Sequence, residues 1–535
     1  MPNSAGLQVE EILGPERGIA PLGTAITAFV GRTLRGPVNR PVAIKNFAQF
    51  QAVFGGLWQP SLLSYSVEHF FDNGGSDALV VRVVNGARPA SLSLKAGAGV
   101  LTLRAVRPGT REFLRASVDY DNIEPDNTVD FNLTIQRVRA QGTEQVDDQE
   151  IFPNVSLLAT SERYLAGVLA QSELVRVVGD LPVSRPERTL DPSSGLATRY
   201  VESNSDGDDG APLTDYDLIG SEVDKTALFA LSESDYFNFL CIPPPTRDRD
   251  LGWSALLVGA RFCKDRGALL MVDPPSHWHT ADDALRGMRE WIFRDENALM
   301  YFPRILAHDK LRGRFESFAP GGAVAGMLSK SDEYSEAVLR PGFRPTCMVG
   351  EDRRLKLATQ GVNTIQVLRS VARPSVLPRT LGAGNSGASD WQYLGPRRSA
   401  LHIVNSIERG TRWVVLAQPH LEVVGTVEEQ VREFLKELHA AGAFGERAAE
   451  EAYFVNCDQR AIAPEAGVAA EPAPREFHLV IGFAATRLGE FHAYRITHSP
   501  AGSSVKSVSA SRFNVSQFSP EDLKWVDRIA SQLKP

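Results

Sequence analysis

The chain begins with a short alternating stretch, Leu7-Gln8-Val9-Glu10 and then Ile12, which Gly14-Pro15 and Pro21 isolate from the next segment. A lone strand cannot satisfy its own backbone groups, so residues 1–20 read as an arm that joins a sheet, its own or a neighbour's. From Ala25 to Val84 the pattern is that of an α/β unit. Ala25–Val30 is an apolar run ended by Gly31, and Val42–Ile44 is a short second strand. Asn46 precedes a helix with Phe47, Phe50 and Phe54 on one face, stopped by Gly55-Gly56. Ser61 opens a second helix carrying Leu63, Val67, Phe70 and Phe71, stopped at Asn73-Gly74, and Leu79–Val84 is a β-branched strand.

Residues 91–200 change character. Leu101–Leu103, Ala116–Tyr120 and Phe131–Val138 alternate between turn-rich pieces, which predicts a β-rich module. A helix over Ser161–Gln171 and a strand over Leu174–Val178 come next. The polar loop Ser203–Gly210 marks a boundary. Helix and strand signals then alternate over 201–348: Tyr236–Ile242, Trp253–Asp265, Ala268–Val272, Ala281–Phe293 and Ala298–Phe302. In 349–498 a helix carries Leu401, Val404 and Ile407 and ends at Gly410, and Arg412–Leu416 reads as a strand. Thr426 and Glu429 form a capping box for a helix with Val427, Val431, Phe434, Leu435 and Leu438 on one face. Tyr453–Cys457, Phe477–Phe483 and Phe491–Ile496 are strands. Residues 499–535 are a polar tail and then a short helix from Ser519-Pro520 with Leu523, Val526, Ile529 and Leu533 apolar. The fold class is therefore α/β (α+β) and multidomain. The order of the segments suggests a discontinuous core built from 21–90 and 349–498, with β-rich and α/β modules inserted between them and extended arms at both ends.

The 535 residues are 43% apolar and 23% charged, an ordinary globular balance that needs no metal or disulfide staple. The net charge of −8 argues against a dedicated nucleic-acid binder. Cys241, Cys263, Cys347 and Cys457 form no CxxC pair; Cys241 and Cys457 sit in apolar surroundings and read as buried thiols of a reducing compartment. The N-terminus lacks a signal-peptide pattern, and no stretch approaches the ~20 apolar residues of a membrane span, so a soluble protein made in the cytoplasm is expected.

Candidate chemistry is sparse. Gly382-Ala-Gly384-Asn-Ser-Gly387 spells GxGxxG, but Pro374, Pro378 and Pro396 deny it the strand and helix a dinucleotide site requires. No GxxxxGK[ST] or GxSxG is present. Asp206, Asp208 and Asp209 invite calcium, yet counting from Asn204 puts Asp209 where the turn glycine belongs, and counting from Asp206 puts Gly210 on a ligand position. His277 and His279, with Asp273 upstream, could share a strand face but lack a third ligand at a recognisable spacing. On chemistry alone the sequence points to no enzyme and to no cofactor or metal.

Several strings resemble contractile-tail sheath proteins of bacteriophages and related injection systems. At the N-terminal end they are Val9–Ile12, Ile26–Gly31, Gly36–Val42, Phe47–Gly56 and His69–Val83. At the other end they are Arg379-Thr380-Leu381, Trp391-Gln392-Tyr393, Ser406–Pro419, Val431–Phe444 and Ala452–Asp458. Weaker ones are Phe152–Leu157, Cys241–Pro245 and Val272–Pro275. The glycine-rich, tryptophan-bearing stretch usual before the Arg-Thr-Leu string is replaced here by SVARPSVLP.

The resemblance implies a structural subunit that is a homo-oligomer, stacked as hexameric rings in a helical sheath around an inner tail tube. The sheath meets baseplate and tail terminator proteins and contracts to drive the tube through a cell envelope. It implies no cofactor, no nucleic-acid contact and no membrane insertion. It places the protein in the virion tail, assembled in the host bacterial cytoplasm. A non-phage contractile injection system is the alternative setting, and an enzymatic or adhesive module on a sheath-like core a more distant one. Carried onto this sequence, it makes Leu7, Val9 and Ile12 the donated N-terminal strand. Phe491, Tyr494 and Ile496 become either a C-terminal arm or the last core strand. The charged face of the capping-box helix, Glu428, Glu429, Arg432, Glu433, Lys436 and Glu437, becomes the candidate tube-facing surface, with an ordinary solvated face as its alternative.

Overall fold

The computed structural model describes residues 18–508, except 141, 191–198, 331–336, 367–375, 385–390, 416–420, 446, 459–475 and 485–491. Leu7, Val9, Ile12, Phe491 and the predicted helix from Ser519 lie outside the described residues.

The first α/β segment forms β1 (Ile26–Gly31), β2 (Val42–Ile44), α1 (Phe47–Phe54), α2 (Leu63–Asp72) and β3 (Asp77–Arg82). Asn46 caps α1 by accepting from the Gln49 amide at 2.9 Å, and Gly55 ends it at φ 90°. Ser61 stands one residue outside the cap of α2: its hydroxyl donates to the Arg32 carbonyl and accepts from the Leu63 amide.

The β-rich module holds β4 (Ser91–Ala96), β5 (Gly99–Ala105), β6 (Leu114–Asp119), β7 (Asp130–Val138), β8 (Val146–Ser156), α3 (Leu165–Leu169), β9 (Val175–Val177) and β10 (Val201–Glu202). Its two sheets, β10-β6-β7-β8 and β4-β5-β9, enclose one core that includes Leu92, Leu103, Phe131, Ile135 and Leu169. The helix expected over Ser161–Gln171 shrinks to α3 because Ser161 closes a turn, its amide donating to Leu158 and its hydroxyl accepting from Arg163.

The next stretch forms α4 (Asp215–Ile219), β11 (Phe239–Cys241), α5 (Trp253–Arg266), β12 (Leu269–Val272), α6 (Ala281–Glu290) and β13 (Ala298–Phe302). It continues with β14 (Ile305–Asp309), β15 (Arg314–Phe318), α7 (Gly321–Lys330), β16 (Ala337–Val338), β17 (Arg344–Pro345), α8 (Glu351–Thr359) and β18 (Val362–Gln366). Strands from both segments merge into one sheet of order β16-β18-β13-β12-β11-β1-β3-β2, parallel throughout except for the edge strand β2. Ala28, Val30, Leu240 and Leu270 point into the layer that holds α5 and α6. Phe29, Val80, Phe239 and Leu269 point into the layer that holds α1, α2 and α7.

This topology divides the chain differently from the order of its segments. Residues 239–302 supply the centre of the sheet, between β1 and β18, so strands of the 201–348 stretch lie within the core sheet and not in a separate inserted module. The physical reason is that β11, β12 and β13 are apolar on both faces, as β1 is, and only covered central positions accommodate such strands. Of the segment 349–498, β18 joins this sheet.

From Leu394 onward the chain builds its own unit: α9 (Leu394–Gly410), α10 (Leu421–Ala440), α11 (Ala449–Ala452), β19 (Tyr453–Asp458), β20 (Phe477–Phe483), β21 (His492–Ser499) and β22 (Gly502–Ser507). The strand expected at Arg412–Leu416 is a 3-10 turn over Arg412–Val415, because the Thr411 amide and hydroxyl both bond the Ile407 carbonyl and carry helical geometry past α9. The helix expected to start at Thr426 starts at Leu421, so the capping-box residues lie inside it. Part of the expected polar tail is β22, paired residue for residue with β21 through the backbone.

Close helix packing fixes one layer of the large sheet. A Cβ on Gly322 or Gly326 of α7 would collide with the carbonyl oxygens of Ser66 and Phe70 on α2. Gly425, in α10, has nothing within 4 Å of that position. Gly326→Ala is therefore expected to lower stability by ~1–3 kcal/mol. Gly425→Ala is expected to raise it by ~0.5–1 kcal/mol. Chemical denaturation of the two variants against the parent measures both signs.

Candidate assembly surface in the C-terminal unit

β19, β20, β21 and β22 form an antiparallel meander in sequence order. Its strands alternate, so one face presents Val455, Leu479, Ile481, Tyr494 and Ile496 to Ile403 and Ile407 of α9 and Val427, Val431, Phe434 and Leu435 of α10. Gly482 leaves room for the Phe454 ring, which a Cβ there would strike. Among the described residues, β19 pairs only with β20 and β22 only with β21. Both edges are unfinished ladders of backbone donors and acceptors.

Tyr494 and Ile496 lie on β21, an interior strand flanked on both sides by its own chain, and both are buried. In this structure both side chains lie on the inner face of the meander. The first described residues run along α9: Ile19 is buried against Gly410, and the Leu22 amide donates to Ser406 Oγ at 3.1 Å. The described chain thus begins beside the C-terminal unit, and Leu7, Val9 and Ile12 lie outside the described residues. On α10, Glu429, Arg432, Glu433, Lys436 and Glu437 are exposed and Glu428 half-exposed, opposite the buried stripe. Arg432 donates to Glu428 at 2.6 Å; the face as a whole has four carboxylates against two cations.

The polar joint between this unit and the large sheet was not visible in the sequence. Arg397 of α9 is 5% exposed and lies under Trp391, with its ring centroid 5.1 Å away. Its guanidinium donates to Asn297, lies 3.7 Å from Glu296 and meets the Tyr494 hydroxyl at 3.5 Å. Asn297 in turn donates to the Ala268 carbonyl at 2.7 Å, and Asn405 to the Gly267 carbonyl at 2.9 Å. Burial pushes the Tyr494 hydroxyl up to about 12. Arg397-Arg398 after Pro396 reads as a polar helix start, and nothing in its spacing marks one arginine as buried.

His498 ends the inner face of β21 with no exposure. One ring nitrogen lies 2.8 Å from Thr411 Oγ1 and the other 2.7 Å from Ser503 Oγ on β22. The Thr411 hydroxyl donates to the Ile407 carbonyl, so it accepts from His498 Nε2–H, and Nδ1 accepts from Ser503. Burial holds this imidazole down at about 4, against the opposing pull of Glu408.

The chemical candidates disperse. Asp206 accepts from the amide and hydroxyl of Ser91, and Asp209 from those of Thr110, so these carboxylates fasten the loop 203–210 to the β-rich module at two places. His277 and His279 are exposed on either side of buried Trp278, while Asp273 accepts from the Gly321 amide. Among the described residues no group of three or more His, Cys, Asp or Glu could hold a metal ion. Leu381–Gly384 is a 3-10 turn, with the remainder of the GxGxxG string outside the described residues. Cys241, Cys263 and Cys457 are buried free thiols; Cys347 is half-buried.

The titration of His498 has a defined sign. Its folded value lies below the ordinary histidine value, so the stabilisation is complete above about pH 6.5 and is lost as pH falls through about 4. Over that window the chain should lose roughly 1–3 kcal/mol from this residue. In His498→Gln the slope of unfolding free energy against pH should be correspondingly flatter, measured by denaturation across pH 4–7.

No protein-family model matches the chain, and no curated protein sequence matches it. Solved structures do. A sheath tail protein from Listeria innocua superposes with a TM-score of 0.58 at 12% identity, covering 90% of this chain and 96% of that one. A sheath tail protein from Desulfitobacterium hafniense gives 0.48 at 10% identity, covering 92% and 100%. The contracted sheath complex of an extracellular contractile injection system gives 0.47 at 13% identity, covering 91% and 95%. From the parallel sheet to the C-terminal meander, the chain has the fold of a sheath tail protein.

Proposed function

We propose that this chain is the repeating subunit of a contractile sheath. It stacks as hexameric rings around an inner tube and is held between a baseplate and a terminator. On contraction it drives the tube through a target envelope. The observation that carries this reading is the end-to-end correspondence with the Listeria innocua sheath tail protein, which spans nearly the whole of both chains. The C-terminal meander adds support, since two open edges on one unit are suited to accept strands from neighbouring copies. Leu7, Val9 and Ile12 carry the alternation such a strand requires, and the described chain begins beside α9. Energy for the stroke is stored in the extended lattice, so the reading requires no nucleotide site. The exposed face of α10 is the surface we assign to the tube.

The setting is the virion tail, with assembly in the cytoplasm of the bacterial host; the sheath of a non-phage injection machine would use the subunit in the same way. Negative-stain microscopy of the purified chain, alone and with its tube protein, tests the reading: tubes or stacked rings of uniform diameter are expected. Dispersed particles under both conditions would overturn it. Deleting residues 1–17, which spares the buried Ile19, should leave a monomer with the parent's unfolding transition but without polymers in sedimentation. A deletion variant that fails to fold would place the arm in its own subunit's sheet.

A further inference from the structure

Four large apolar side chains are exposed together on the outer side of α5. Trp253 is 43% exposed and Leu257 58%, one helical turn apart. The Trp253 ring centroid lies 4.6 Å from that of Trp291, whose neighbour Ile292 is 82% exposed. Tyr216, 81% exposed, follows Asp215, which accepts from the Gly252 amide at the start of α5. Toward its C-terminal end the outward face of α5 is charged, with Arg261 paired to Asp265 at 2.9 Å and Lys264 exposed beside them. An apolar cluster of this kind, rimmed by charge, marks a surface that is covered.

We propose that the chain's own C-terminal segment, residues 519–533, covers it as an antiparallel helix in the same subunit. Reach, length and charge each support this occupant. β22 ends beside the C-terminal end of α5: Ser503, Val505 and Ser507 line one cleft of about 300 Å3 with Lys264, Asp265 and Gly267. The residues from 509 to 518 span up to ~33–36 Å when extended, whereas Trp253 lies only ~17 Å along α5 from Lys264. The segment Ser519–Leu533 as a helix is ~22 Å long, and α5, with 14 residues, is ~21 Å. Leu523, Val526, Ile529 and Leu533 form its apolar stripe. Entering from the C-terminal end of α5, it sets Asp522, which shares the face of the stripe, near Lys264, and Ile529 and Leu533 against Leu257 and Trp253. The opposite direction would bring the acidic turn onto the apolar cluster.

The test uses the full chain at a dilution where it is monomeric, with Cys347→Ser to remove the half-buried thiol. Leu257→Cys is paired with Ile529→Cys, and the control pairs Ile529→Cys with Val183→Cys, which is 97% exposed on the β-rich side. Under mild oxidation the first pair should close an intramolecular disulfide at least ten-fold faster than the control, at a rate independent of protein concentration. Equal rates for the two pairs would overturn the proposal. So would a disulfide that forms only between copies, which would make a second subunit the occupant. In an independent measurement, Leu257→Glu should speed proteolysis of residues 509–535 at least several-fold without changing the unfolding transition; unchanged proteolysis would count against the proposal. Both measurements are made on monomer, so their outcome is separate from whether the chain polymerises.

Discussion

The governing constraint is that backbone donors and acceptors at a sheet edge must find partners, in water or in another strand. The large parallel sheet exposes little edge. Its flanks are β2, short and antiparallel, and β16, shorter still, and both faces of its centre are covered by helices. The C-terminal meander has longer edges, six residues each in β19 and β22. β19 and β22 each pair on one side only among the described residues, while the alternating residues Leu7, Val9 and Ile12 precede a described chain that begins beside the same unit. Among the described residues, the meander therefore offers the longer unpaired edges, the feature on which the proposed strand addition rests.

The two parts are not loosely joined. Arg397 sits between Asn297 and Glu296 of the large-sheet layer and Tyr494 of the meander, at 5% exposure. A buried guanidinium stays in place only while its partners do, since leaving it unpaired costs several kcal/mol. Removing it should therefore loosen the attachment of the C-terminal unit before it unfolds either core. A rigid joint of this sort would let a displacement of the C-terminal unit reach the large sheet, which the proposed contraction requires.

Much of the fold was legible where local signals and burial agree. The Asn46 cap with its Phe47-Phe50-Phe54 face, the β13 run at Ala298–Phe302 and the alternation of Phe131–Val138 are all present in the structure. The failures have identifiable causes. Chain order alone puts β11 to β13 in an appended module, because it says nothing about which strands of an α/β chain become neighbours. Arg412–Val415 has strand-like residues, but the Thr411 bonds to Ile407 hold it in helical geometry. β22 has Val505 as its only large apolar residue, so its pairing, which runs through backbone groups, left no pattern to read. Of the assembly surface, the charged stripe of α10 was visible from periodicity. The burial of Arg397, and the interior position of Tyr494 and Ile496, depend on contacts between residues about a hundred positions apart and on a strand the sequence concealed.

Hydrogen exchange read residue by residue, in monomer and in assembled polymer, addresses the central claim most directly. If neighbouring copies complete the meander, the outward amides of Tyr453–Asp458 or of Gly502–Ser507 become strongly protected on assembly, while those of Val42–Ile44 at the edge of the large sheet keep their monomer rates. Polymers in which both meander edges exchange as fast as in the monomer would contradict the account, because the copies would then be held together through some other surface.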